Sequence, residues 1–394
     1  MKKLSALCSF IYERVTVNNL DKYTYISTEN MLPNKEGISC SAGLPTTAQT
    51  QAYQEKDILI SNIRPYFRKI WFADQNGGCS NDVLVLRAKD NCYPKFLYYL
   101  LSDDKFFDYA TATAKGTKMP RGDKNAIMQY EVPDLPLNMQ IKIANVLSAL
   151  DGRISLNSKI NHHLEQMAQA IFKSWFVDFE PWGGKIPSDW KTVMLGDLCV
   201  TVTKGTTPTT LKRQFVTEGI NFIKAESILD NHSIDFSKLA FIDKGTNFLL
   251  SRSMLKENDI IFSIAGTLGR FAFVGTDLLP ANINQAVAII RADPSKISPV
   301  TLFSFFVGGF HLEFYTKNIQ QAVQANLSLS TIKSLSLLMP SEKILAEYAA
   351  LIDPLFIQIF QNIQENRSLA NLRDTLLPKL MSGELSVADL ETAK

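Results

Sequence analysis

Ile154-Ser155-Leu156-Asn157-Ser158-Lys159-Ile160-Asn161 and Ile359-Phe360-Gln361-Asn362-Ile363-Gln364-Glu365-Asn366 decide the reading of this chain. Each opens on isoleucine and places asparagine three and seven residues later, and the two lie 205 residues apart (359 − 154). Extended in steps of four and three, the first gives Ile143, Leu147, Leu150, Ile154, Asn157, Asn161, Leu164, Ala168, Ile171 and Trp175. The second gives Tyr348, Ile352, Leu355, Ile359, Asn362, Asn366, Leu369, Arg373, Leu376 and Leu380. A mean spacing of 3.5 residues is that of helices wound around one another. Asparagine in such a seam lowers stability but fixes register and partner. Antiparallel pairing sets Asn157 and Asn161 against Asn362 and Asn366, where they satisfy one another. Parallel pairing is open in principle, and so are two separate bundles with exposed asparagines. The antiparallel coiled coil is preferred because the matched pairs are otherwise unexplained. Gly152 and Pro354 predict a kink or late start at similar repeat positions.

Outward from the seams the chain repeats itself. Glu55-Lys56-Asp57-Ile58-Leu59-Ile60-Ser61 returns as Glu257-Asn258-Asp259-Ile260-Ile261-Phe262-Ser263. Ser80 to Ala88 corresponds loosely to Ile283 to Ala292, and Val132-Pro133-Asp134-Leu135-Pro136 to Ser336-Leu337-Leu338-Met339-Pro340. Short β-like runs (58–60, 83–86, 260–264, 286–290) mark the mixed parts, and each helical part follows a proline. The expected fold is α/β (mixed α+β), with two globular domains alternating with two long helices packed as an antiparallel coiled coil. The boundaries are 1–136 and 180–340 for the domains, 137–179 and 341–385 for the helical regions, and 386–394 for a tail.

The 394 residues exceed one ordinary core, and 46% apolar content supports burying more than one. With 41 cations and 39 anions the formal charge is +2, which excludes a histone-like protein but not local basic clusters. No apolar run approaches the roughly 18–20 residues of a membrane span. The start, Met1 to Cys8, imitates a secretory leader but ends at Tyr12-Glu13-Arg14, so a buried first strand or helix is expected. Five irregularly spaced cysteines without C-x-x-C, and four scattered histidines, predict reduced thiols, no metal site and a cytoplasmic location.

Phosphate-loop, dinucleotide, nucleophile-elbow, zincin and deaminase patterns are absent, as are the Asn-Pro-Pro-Tyr and Asp-Pro-Pro-Tyr tetrapeptides of amino-methyltransferases. No catalytic residue is assigned. His162 and His163 read as a solvated helix face. What the domains do carry is basic loops. Arg64-Pro65-Tyr66-Phe67-Arg68-Lys69 interleaves cations with aromatics, and Lys115, Lys118, Arg121 and Lys124 share one Gly-containing loop with a single acid. In the second domain Lys204, Thr206, Thr207, Lys212 and Arg213 form a similar stretch. Gln320, Gln321, Gln324 and Asn326 take the place of the first domain's basic loop, and Arg270 that of Arg68 (270 − 68 = 202). Such loops suit phosphates, guanine edges and, through Gln and Asn, adenine edges. Any one of these residues is equally well a solvated surface group; the loops as groups favour DNA.

Ile171-Phe172-Lys173-Ser174-Trp175-Phe176-Val177-Asp178-Phe179-Glu180-Pro181 and Leu376-Leu377-Pro378-Lys379-Leu380-Met381-Ser382-Gly383-Glu384-Leu385 close the helices. With Gly205-Thr206-Thr207-Pro208 and Asn282-Ile283-Asn284-Gln285-Ala286, they make the chain resemble the specificity subunit of type I restriction–modification enzymes over essentially its full length. The resemblance implies two target-recognition domains, each reading half of a bipartite double-stranded DNA site. It implies helices that separate the halves and dock two methyltransferase subunits, joined by restriction subunits. S-adenosylmethionine, ATP and Mg would sit on those partners and no cofactor on this chain. The 38 residues from Met139 to Phe176 (176 − 139 + 1) would span about 57 Å as helix, room for about one DNA turn. A stand-alone adenine methyltransferase with degenerate motifs, and a coiled-coil scaffold that ignores DNA, are the alternatives.

Overall fold

The computed structural model describes residues 1–312 and 326–387. It divides into two compact units, 1–155 with 367–394 and 156–366. In each, the mixed domain is joined by its own share of both long helices.

The sequence repeat is a structural repeat. In the first unit a four-stranded antiparallel sheet runs in the order Cys8–Phe10, Val83–Ala88, Ile58–Ser61, Ile70–Phe72. In the second, Cys199–Lys204, Val287–Ala292, Ile260–Ser263 and Phe271–Phe273 have the same order. Successive side chains of a strand point to opposite faces. Ile58, Ile60, Leu84 and Leu86 therefore enter one core, while Leu59, Val83 and Val85 enter another. Ile260, Phe262, Ala288 and Ile290 likewise part from Ile261, Val287 and Ile289. Both faces are covered, which is why these strands read as unbroken apolar runs. A smaller sheet lies beside each, containing one parallel pair: Tyr25–Ile26 with Gly77–Cys79, and Ile220–Ile223 with Ala281–Ile283.

A turn precedes the matching strands Ile58–Ser61 and Ile260–Ser263. Lys56 and Asn258 both adopt positive φ there, 72° and 69°. The turn buries Asp57 and Asp259, at 1% and 0% exposure. Arg87 grips Asp57 through two bonds of 2.7 and 2.8 Å, and Arg291 grips Asp259 at the same two distances. A bidentate pair of this kind, built twice, is the firmest sign of duplication.

The long helices span Leu137–Phe176 and Glu342–Ser382. They run through Gly152 and Pro354, so the late start expected there is not found. Around Pro354, Tyr348, Ile352 and Phe356 are almost wholly buried, and that packing outweighs the lost backbone bond. Pairing is antiparallel within each unit. In the second, Asn157 donates to Asn366 (2.9 Å) and Glu365 (2.7 Å), and Asn362 donates to Asn161 (2.7 Å). Trp175 and Phe176 meet Tyr348 at 5.6 and 4.8 Å between ring centroids. In the first, Arg373 binds Asp151 at 2.7 Å, and Ile143, Leu147, Leu377 and Leu380 share one core. The second long helix has the length and mean hydropathy (1.3 over 18 residues) of a membrane span. Four of its apolar residues, Tyr348, Ile352, Phe356 and Ile359, are core residues of the second unit, while Leu351, Ile357 and Leu372 are exposed.

The first residues are structural, as expected. Lys2–Lys3 pairs with Glu131–Val132, and Leu4 and Leu7 are buried. All five cysteines are free. Burial pushes the Cys8, Cys79, Cys92 and Cys199 thiols up to about 12, which leaves them inert at ordinary pH.

Candidate nucleic-acid interface

The two basic stretches of the first domain, some 50 residues apart in sequence, are stitched together by backbone bonds. Arg64 N–H donates to Pro120 O (2.8 Å), and Gly122 N–H to Asn62 O (3.0 Å). Lys115 and Arg121 exchange bonds of 2.9 Å in both directions, closing a tight loop with exposed Lys118 in it. Asn34 and Lys35 add a third segment by donating to Phe67 O and Arg68 O, each at 2.9 Å. Tyr66 and Phe67 stand 48% and 38% exposed with ring centroids 4.8 Å apart, and the Arg64 guanidinium lies 6.0 Å from the Phe67 ring. Cations beside exposed rings can meet phosphate and base together.

The structure separates cations that face outward from cations that hold the domain together. Arg68 pairs with Asp104 (2.9 Å) and Asp108 (3.5 Å). Lys69 donates to Thr28 O at 2.6 Å, and burial lowers its pKa. Lys115 is bound to Asp123 (2.6 Å), and Lys124 sits 5.2 Å over the Tyr12 ring. Arg270 chelates Asp230 at 2.6 and 2.8 Å and reaches Ile228 O. The expected match of Arg270 to Arg68 is corrected by one residue. Ser61 N–H bonds Lys69 O where Ser263 N–H bonds Arg270 O, so Arg270 stands at Lys69. The second hairpin is one residue shorter (69 − 61 = 8; 270 − 263 = 7). Both cations turn inward to the domain.

In the second domain Lys204, Lys212 and Arg213 are exposed, and Lys212 takes positive φ (57°). Gly205 passes against the backbone of Ile283, where a Cβ would come within 1.9 Å of its carbonyl oxygen. That contact seats Thr206 and Thr207 beside the Asn284–Val287 turn, and Thr207 donates to the side-chain carbonyl of Gln285. Gln320, Gln321 and Gln324 lie outside the described residues. Asn326 is described, exposed, and held by its neighbour: Leu327 N–H donates to Ile264 O (2.9 Å).

Those bonds align the domains residue by residue. Asn62 N–H bonds Asp82 O and Ile264 N–H bonds Ala286 O, both at 2.8 Å. Gly122 N–H then bonds Asn62 O as Leu327 N–H bonds Ile264 O. Asn326 thus stands where Arg121 stands. The same bonds align Ser80 with Asn284, one residue on from the loose sequence match. Two residues not singled out from sequence join the site. Asp82 pairs with Arg121 at 3.0 Å, and Gln285 lies at the second domain's equivalent turn. Asp82 left only the weak repeat around it, and Gln285 only its place in the Asn282–Ala286 motif. Among the described residues no cluster of three or more His, Cys, Asp or Glu could hold a metal.

Both domains carry the sequence signature of one family: the type I restriction modification DNA specificity domain matches residues 9–166 and again 187–367. The chain belongs to this family. It is 28% identical to the type I restriction enzyme MjaIX specificity subunit of Methanocaldococcus jannaschii, over 77% of this chain and 71% of that one. It is 25% identical to the HindI specificity subunit of Haemophilus influenzae, over 95% and 97%. The crystal structure of a type I restriction–modification S subunit from M. genitalium has the same fold, with a TM-score of 0.60 at 18% identity, covering 96% of this chain and 95% of that one.

Proposed function

We infer that this chain is the non-catalytic DNA specificity subunit of a type I restriction–modification assembly. The observation that carries the reading is one scaffold built twice, bearing basic and aromatic loops in the first domain and, among the described residues of the second, Lys204, Lys212 and Arg213 beside the hydroxyls and amides of Thr206, Thr207, Gln285 and Asn326. Two recognition surfaces of different chemistry suit a bipartite, asymmetric site in double-stranded DNA. Phosphates would be met by Lys118, Lys204, Lys212 and Arg213, and base edges by the better-anchored residues beside them. The helices would space the domains and dock two methyltransferase subunits, with restriction subunits completing the complex. S-adenosylmethionine, ATP and Mg belong on those partners, and the work is done in the cytoplasm. Neither a stand-alone methyltransferase nor a scaffold indifferent to DNA accounts for polar and basic loops on a repeated scaffold. The test is co-expression with the methyltransferase in a host without adenine methylation, followed by mapping of methylated adenines. A bipartite motif is expected; unmethylated DNA, or scattered methylation without a motif, would sink the reading.

A further inference from the structure

We propose that Arg121 and Asn326, equivalent residues of the two domains, are the specificity-determining residues, Arg121 reading a G·C pair in one half-site and Asn326 an A·T pair in the other. The inference rests on the DNA-reading function above and adds to it which residues read which bases.

A base-reading side chain needs a fixed root and a free tip. Arg121 has both. Its backbone exchanges bonds with Lys115, it bridges Ile63, and its neighbour Gly122 is tied to Asn62. Its side chain is 57% exposed. Arg64, Arg68, Lys69 and Arg270 fail one condition or the other. Arg64 leans on Phe67, Arg68 and Arg270 are held by aspartates with side chains only 35% and 28% exposed, and Lys69 is bound to Thr28 O. Lys118 has the reverse character, a free tip on a loop crest, which suits a phosphate.

The partner of Arg121 points to the base pair. An arginine fork matches the O6 and N7 acceptors of guanine, and a carboxylate accepts from the N4 amino group of cytosine. Arg121 and Asp82, 3.0 Å apart and both partly exposed, offer these two functions side by side. In the second domain Asn326 is rooted by the neighbouring Leu327 bond to Ile264, with Gln285 steadied by Thr207 at the adjoining turn. Amide side chains match the N6 and N7 atoms of adenine. An arginine in one repeat and an asparagine in the other, at one backbone position, is the difference expected if the halves read different bases.

The experiment uses the full-length chain with its methyltransferase and the same methylation map. Arg121→Ala should make one G·C position of one half-site degenerate, with discrimination falling about tenfold to a hundredfold, and leave the other half intact. Asn326→Ala should blur one A·T position in the opposite half. Arg121→Gln, which puts an amide on the same root, should shift that position from guanine towards adenine and covers the case in which alanine abolishes methylation. Lys118→Ala should lower methylation without altering any letter. Unchanged letters in both Arg121 variants and in Asn326→Ala, or blurring of one and the same half by both sites, would overturn the proposal. A wild-type map without a bipartite motif would instead remove the function on which it rests.

Discussion

Asp259→Ala should unfold the second domain's turn at a cost that Asp57→Ala does not reach in the first. Asp259 is fully buried and accepts three bonds: Arg291 Nε at 2.7 Å, Arg291 Nη2 at 2.8 Å and Lys256 N–H at 2.7 Å. Its removal strands a guanidinium only 22% exposed. Breaking a buried pair from one side costs about 3–5 kcal/mol. At roughly 2–4 °C per kcal/mol for a domain of this size, the melting transition should fall by about 6–20 °C. Arg87 has a second acid within reach, Glu13 at 3.0 Å, whereas among the described residues Arg291 keeps only the carbonyl of Met254 at 3.3 Å. Asp57→Ala should therefore be milder by up to about 1 kcal/mol, the worth of a half-exposed ion pair. Calorimetry on the full chain reads both. The double variant Asp259→Ala/Arg291→Met, which removes the stranded charge, should recover much of the loss. Equal drops for the two aspartates, or a drop under about 2 °C for Asp259→Ala, would refute the reasoning.

Asn362→Leu deprives Asn161 of its donor at a buried site and should cost about 1–3 kcal/mol in thermal unfolding, whereas Asn161→Leu/Asn362→Leu should recover most of that loss. A chain ending near Gly184 lacks the second helix and should dimerise through Leu147, Leu150, Ile154 and Leu164, with Asn157 against the second copy's Asn161, and direct methylation to a palindromic site; light scattering showing a soluble monomer would contradict this. In that dimer Asp151 meets Ala168 instead of Arg373, so Ala168→Arg should tighten it about tenfold to a hundredfold, measured by dilution. Exchange of residues 180–340 for another such domain should change one half of the methylation motif only. The purified chain with DNA and S-adenosylmethionine should transfer no methyl groups, read by tritium incorporation.

The seams, the repeat and the strand pairs were legible in the sequence because each is a local periodicity. Steps of four and three bring side chains to one helix face, and runs such as Ile58-Leu59-Ile60 declare a strand covered on both sides. The matched asparagines left parallel pairing open, and the bonds from Asn157 to Asn366 and from Asn362 to Asn161 decided for antiparallel. At the charged seam position Arg373 the fold supplies Asp151. Which cations face outward was decided only by tertiary structure. Arg68 and Arg270 look like contact residues in a list of loops, but Asp104, Asp108 and Asp230 lie 36 to 40 residues away in sequence and claim them. The standing of Arg121 and Asn326 as one position was equally hidden. It is set by backbone bonds from Gly122 to Asn62 and from Leu327 to Ile264, and a backbone bond constrains the place of a residue without constraining its side chain. Sequence patterns record side chains, so positions that must differ between the two halves leave no pattern to read.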